Sequence, residues 1–242
     1  MFNNENEKTF RGDLQIIIKN LSEKNKFAFS KYADGEFHIL ANGAINNGEF
    51  WFEPDKDQDY RKQLIDSFQC EDEGYVVGVS CRCCIGGDKI HNWMKTNSKQ
   101  PESKLTWANI FVNGNYDYYL SNMVPLYKEY DVYLVSNDAS NLDRLPFKVK
   151  KHFKIGKNAW NKDNNLKNDI IEYIEKENVK DSLFLFCAGP FGNILTHHCW
   201  THNKENTYID IVSTLNTLLL GDSGANRGYL RGEISRQKIC IW

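Results

Sequence analysis

The chain is 242 residues long and carries 30 Lys and Arg against 32 Asp and Glu, a formal net charge of −2. Because the two signs are interspersed, the basic surface needed to bind nucleic acid through its phosphates and the Lys/Arg clusters of a polybasic membrane-surface protein are both excluded. A hydrophobic fraction of 41%, with only 16 Gly and 5 Pro, excludes collagenous, low-complexity and wholly disordered classes.

The length allows one large α/β domain spanning 1–242, with a polar segment at 1–13 and a loop-rich tail at 221–242. No apolar run approaches the about 18 residues of a membrane span, short stretches such as Leu183 to Ala188 being the longest. The polar first residues lack the basic-then-apolar order of a signal peptide. Seven cysteines, an odd number, make no disulfide framework, so reduced thiols in a cytoplasmic setting are expected.

Along the chain, Phe27 to Tyr32 alternates as a strand does, and a short helix is predicted over Gly35 to Asn42. Tyr60, Leu64, Ile65 and Phe68 place a helix over Gln58 to Phe68, and Tyr75 to Val79 reads as a buried strand. Helices are predicted over Asp88 to Thr96 and Tyr116 to Tyr127, and strands over Asp131 to Val135 and His152 to Ile155. A helix over Asn165 to Glu175, a strand from Leu183 to Cys187, a helix from Phe191 to His198, a strand over Tyr208 to Ile211 and a helical Ser213 to Leu220 complete the pattern. Such alternation implies a mostly parallel sheet with helices on both faces.

In open α/β sheets ligands bind beyond the carboxyl ends of the strands. Those positions are polar here: Ala33 to Glu36, Ser80 to Arg82, Ser136-Asn137-Asp138, Gly156-Lys157-Asn158 and Ala188-Gly189-Pro190. Asp34 and Glu36, leaving a strand and entering a helix, could both face a small hard cation that completes its shell with phosphate oxygens and water. They could equally serve as helix N-cap and first-turn acid. Gly189, Pro190 and Gly192 open a helix whose N–H groups could receive a phosphate, although an ordinary tight turn has the same composition.

The run Lys31-Tyr32-Ala33-Asp34-Gly35-Glu36 resembles the Arg-aromatic-Gly-Asp-Gly-Glu signature of the GT-D class of glycosyltransferases, with Lys31 and Ala33 where that class has Arg and Gly. Later segments are similar in order and spacing: Leu183 to Pro190, Tyr208 to Ile211, and Asn158-Ala159-Trp160. The resemblance implies a Rossmann-like fold and transfer of a hexosyl or pentosyl group from a nucleotide-diphosphate sugar, a UDP-sugar being expected, to a glycan or glycoconjugate acceptor. It also implies Mn2+ or Mg2+ held by Asp34 and Glu36. Lys31, Asn137, Asn158, Gly189, Pro190, Gly192, Arg227 and Arg231 are the expected substrate contacts, and Asp210, then Asp138, the candidate general bases because both lie near strand ends. A Rossmann-like nucleotide hydrolase and a non-catalytic sugar-nucleotide binding module are the alternatives.

Cys81, Cys83 and Cys84, with His91 further on, suggest zinc, but the paired Cys-x2-4-Cys spacing of a structural site is incomplete. By sequence they read as packed or reactive thiols near the cleft.

Overall fold

A computed structural model describes residues 2–3, 5–221, 230 and 233–242. Helix α1 (Phe10–Ser22) starts where the Thr9 hydroxyl accepts the Gly12 N–H at 3.0 Å, and it buries Phe10, Leu14, Ile17 and Leu21 along one stripe. Strand β1 (Ala28–Lys31) leads into α2 (Asp34–Leu40) and a small hairpin, β2 (Ile45–Asn46) and β3 (Trp51–Phe52). Then come α3 (Gln58–Phe68), β4 (Tyr75–Val79), α4 (Gly87–Asn97) and β5 (Leu105–Trp107).

The predicted helix over 116–127 is a composite: α5 (Tyr116–Tyr118) passes into one π turn and then a 3-10 stretch, Val124–Glu129, entered through Pro125, which has no N–H to donate. Strands β6 (Val132–Asn137) and β7 (Val149–Ile155), helices α6 (Ala159–Lys162) and α7 (Leu166–Lys176), β8 (Leu183–Phe186), α8 (Pro190–His202), β9 (Thr207–Asp210), α9 (Asn216–Leu219) and α10 (Glu233–Gln237) complete the described residues.

Seven strands form one sheet in the order β5-β4-β1-β9-β8-β6-β7, every pairing parallel. The chain winds outward from β1 to β5, crosses to the other half, and returns through β8 to lay β9 beside β1. Right-handed crossovers place α3, α7 and α8 on one face, and α8 packs between α3 and α7 over β1 and β9. The same rule sends the 113–129 segment to the opposite face, where it packs with α1. The expected Rossmann-like single α/β domain is thus the fold observed.

Lys8 and Asp13 dock on the edge strand β5. Lys8 Nζ reaches Asp13 Oδ2 at 3.4 Å and donates to the Leu105 carbonyl at 2.6 Å, while the Thr106 hydroxyl donates to the same carboxylate at 2.8 Å. Burial lowers the Lys8 pKa and raises that of Asp13, with the partner's opposite charge acting against each shift. Removing Asp13 leaves the buried Lys8 charge without the carboxylate it touches, with Glu102 the other opposite charge acting on it. Asp13→Ala should therefore cost about 3–5 kcal/mol in urea unfolding; a loss within 1 kcal/mol, roughly that of a surface pair, would contradict a buried role.

Candidate active site

The carboxyl end of β1 delivers Lys31, half-buried, and then the turn into α2. Ala33 has φ −100, an ordinary extended backbone, so Ala replaces the Gly of the resembled signature without strain. Asp34 is not the N-cap; it is the first helical residue and is exposed. Glu36 does the capping, because its buried side chain folds back and Oε2 accepts the Ala33 N–H at 2.8 Å. One exposed and one buried carboxylate therefore stand at this strand end.

Asp210, at the end of neighbouring β9, lies fully buried beneath them. Its Oδ2 accepts the Lys31 N–H at 3.4 Å and its Oδ1 the Val212 N–H at 3.2 Å. Burial pushes its carboxyl up to about 8, with Lys31 opposing the rise and Glu36 adding to it. Such a group holds a proton at neutral pH and is sealed from an acceptor, so it acts on the site from underneath.

Gly192 explains how α8 comes so close to it: a Cβ there would lie 3.3 Å from Asp210 Oδ1 and 3.6 Å from the Phe186 Cβ. The glycine thus serves packing of α8 on the sheet. Beside it, buried Asn193 donates to the Lys31 carbonyl at 2.6 Å and to the Ser30 hydroxyl at 2.9 Å, fixing the end of β1. The sequence signal of this role is a polar residue on an otherwise buried helix face.

β6 leads outward to β7 while β8 leads inward to β9, so their following connections diverge and leave a crevice. A cleft of about 250 Å³ opens there, lined among others by Asn137, Lys157, Cys187, Gly189, Pro190 and Phe50. Gly189 has φ 55 and ψ −141, a conformation that excludes a side chain. Its turn offers fewer donors than its composition suggests, since Pro190 has no N–H and the Gly192 N–H is engaged by the Gly189 carbonyl at 2.8 Å.

The β2–β3 hairpin lies across the mouth. Its turn is closed by Asn47, whose Oδ1 accepts the N–H groups of Glu49 and Phe50, each at 3.0 Å. The Phe50 ring is wedged between the two glycine turns, so that a Cβ on Gly35 would meet it at 3.0 Å and one on Gly189 at 3.4 Å. Asn158 holds this hairpin: its Oδ1 accepts the Trp51 N–H at 3.0 Å and the Trp160 indole N–H at 2.7 Å, and its own N–H donates to the Glu49 carbonyl at 2.7 Å. With φ 53 and almost full burial, Asn158 supports the cleft from behind.

The structure thus gathers Lys31, Asp34, Glu36 and Asp210 at the β1/β9 end, and Asn137, Gly189 and Pro190 around the cleft. Asp138 is exposed beyond β6, three strands from β1 in the sheet order. Arg227 and Arg231 lie outside the described residues. Arg236 pairs with Asp117 at 3.1 Å and lies over the Tyr116 ring. Lys157, one of the polar residues following a strand, lines the cleft, as does Phe50, which carries no local sequence signal of a site.

No family model and no curated protein matches this chain. Solved structures do. A glycosyltransferase from Streptococcus sanguinis, of domain of unknown function 1792, superposes with a TM-score of 0.59 at 15% identity over 90% of this chain and 85% of its own. A second structure of that domain, described as having a distinct glycosyltransferase fold, gives 0.54 at 17% identity over 81% and 75%. A selenomethionine form of the domain gives 0.56 at 16% identity over 82% and 76%. The chain therefore has the glycosyltransferase fold of these proteins, in agreement with the GT-D resemblance of its sequence.

Because the folded Asp210 carboxyl titrates near 8 and an unfolded aspartate near 3.8, the native state binds the extra proton between those values. The contribution to stability is complete below pH 4 and is lost as pH rises toward 8. Asp210→Asn has no such proton. In chelator-treated protein the unfolding free energy of the variant should gain on that of the parent by up to about 1.4 kcal/mol per pH unit between pH 5 and 7.5. Parallel stability curves across that range would contradict the buried, protonated carboxyl.

Proposed function

We propose that this protein is a metal-dependent glycosyltransferase that moves a hexosyl or pentosyl group from a nucleotide-diphosphate sugar, a UDP-sugar in the first instance, to a glycan or glycoconjugate acceptor. The observation that carries it is the Asp34-Gly35-Glu36 turn, facing the Gly189-Pro190 turn across Phe50 at the ligand-binding edge of a glycosyltransferase fold. Donor chemistry fits a hard divalent cation, since carboxylate oxygens are its preferred protein ligands and few of them are needed beside phosphate and water. Asp34 is exposed, and Glu36 uses only Oε2 for capping. Bound there, Mn2+ or Mg2+ would neutralise the diphosphate leaving group.

The chain's own residues supply the rest. Lys31 adds positive charge beside the diphosphate, although as a point charge and not the bidentate fork of an arginine. Lys157, exposed on the cleft wall, offers a second cation, and Asn137 and the Gly189 turn line the space for the remainder of the donor. Phe50 presents an aromatic ring at the junction, suited to a sugar or base face and to excluding water. Asp210 ties the end of β9 to the end of β1 and to the turn at Val212 beneath the carboxylates, as a positioning residue.

Calorimetric titration of UDP with Mn2+ should show Asp34→Asn and Glu36→Gln each weakening binding by at least about tenfold, or 1.4 kcal/mol. The Asp34 variant should unfold as the parent does, and the Glu36 variant should lose about the 1 kcal/mol of a cap. Unchanged affinity in both variants would remove the carboxylate pair from the donor site.

A further inference from the structure

Four thiols from two distant parts of the chain meet beside the end of β4. Cys81, Cys83 and Cys84 lie in the loop after that strand and Cys240 comes from the carboxyl terminus, yet all four Sγ atoms lie within 4.8 Å of one another. Cys81 and Cys240 are buried, and Cys83 and Cys84 half-buried. The fourth ligand missing from the sequence pattern is thus Cys240. His91 is not part of the group: its Nδ1 faces the Ser80 carbonyl at 2.8 Å and its ring packs on Trp242.

We infer that Cys81, Cys83, Cys84 and Cys240 form a structural zinc site that fastens the carboxyl terminus to the sheet. Its dimensions suit that ion. A tetrahedron with metal–sulfur bonds of about 2.3 Å has edges of roughly 3.8 Å, and Cys81 and Cys83 are 3.6 Å apart. That separation is far beyond the about 2.05 Å of a disulfide, and all seven cysteines are free.

The surroundings are those of thiolates. Asn109 Nδ2 lies 3.0 Å from Cys240 Sγ, 3.4 Å from Cys84 Sγ and 3.6 Å from Cys81 Sγ. Asn113 Nδ2 donates to Cys240 Sγ at 3.3 Å and the Ile241 N–H to Cys83 Sγ at 3.4 Å. Lys238 Nζ stands 3.4 Å from Cys84 Sγ. Every one of these contacts brings a donor to sulfur, and Asn109 leaves its own Oδ1 buried without a partner. Such donors orient the ligands of a metal and offset the net −2 charge of Zn2+ with four thiolates.

Four thiol protons pass to solvent as the ion binds, and no oxidant or reductant is required. The site would join a loop to a terminus otherwise tied by few backbone bonds, the Arg82 N–H to the Ile241 carbonyl at 3.1 Å and the Gly114 N–H to the Lys238 carbonyl at 2.9 Å. Trp242, packed on Trp107, would be held by the same clasp.

Full-length protein made in zinc-supplemented medium and purified under reducing conditions without chelator should carry close to one zinc per chain by plasma mass spectrometry, with iron at background. Cys240→Ser and Cys84→Ser should weaken zinc retention against a chromophoric chelator by more than about 100-fold, while Cys70→Ser, outside the cluster, keeps it. Because losing a ligand can also unfold the chain, cobalt(II) titration of the metal-stripped parent gives an independent reading: the intense visible bands of a tetrahedral tetrathiolate should appear and saturate at one equivalent. Zinc at background in the parent, iron in its place, absence of the cobalt bands, full retention by Cys240→Ser, or an intact mass reduced by the hydrogens of one or two disulfides would each overturn the assignment.

Discussion

Seven strands that all run the same way cannot be joined by tight turns. Each connection must cross back over a face of the sheet, so all seven carboxyl ends gather along one edge. That edge collects the side chains discussed above: Lys31, Asp34 and Glu36 after β1, Asp210 at the end of β9, Gly189 and Pro190 after β8, and Asn137 at the end of β6. The cleft opens where the connections after β6 and β8 diverge, a consequence of the winding order and not of any single residue. Even the thiol cluster follows the rule, since three of its cysteines leave the end of β4.

Beneath that edge lies one fully buried acid. Asp210 accepts backbone N–H groups from the last residue of β1 and from Val212, while α8 approaches it through Gly192 and ties down Lys31 through Asn193. Burial raises the Asp210 pKa, and the nearby Glu36 adds to that rise. The paired acids of the turn differ in kind. Glu36 is buried and committed to its cap through Oε2, whereas Asp34 is exposed. Phe50 is held beside this turn by Asn47, which accepts its N–H, and by Asn158, which accepts the N–H of the adjoining Trp51.

The parts legible from sequence were those that carry a local period. The helix Gln58–Phe68 and the strand Tyr75–Val79 were bounded as observed, because apolar spacing at i and i+4 and a short aliphatic run are decided within the segment itself. The carboxylate turn after β1 was legible from its place at a strand end. Helix α1 was not, since Gly12 and the charged residues around it obscure a stripe of Phe10, Leu14, Ile17 and Leu21. The β2–β3 hairpin was missed because its strands are two residues each and are held by a side chain from far along the chain, Asn158. That same distance hid the supporting role of Asn158, and it hid Cys240, whose partnership with Cys81, Cys83 and Cys84 no spacing rule could reveal. A glycine needed for helix-to-sheet packing, as Gly192 is beside Asp210 and Phe186, has the same letter as one needed for a ligand.

Transfer of a sugar is the central claim, and its most direct test follows both halves of the donor at once. The protein is incubated with Mn2+, a panel of nucleotide-diphosphate sugars and a mixed glycan and glycoconjugate acceptor pool, and free nucleotide, free sugar and acceptor mass are measured together by mass spectrometry. A transferase releases nucleotide diphosphate in step with the appearance of an acceptor heavier by one sugar residue. Nucleotide release matched by free sugar, with every acceptor unchanged, would show a hydrolase and contradict the assignment, as would donor binding without turnover across the whole panel.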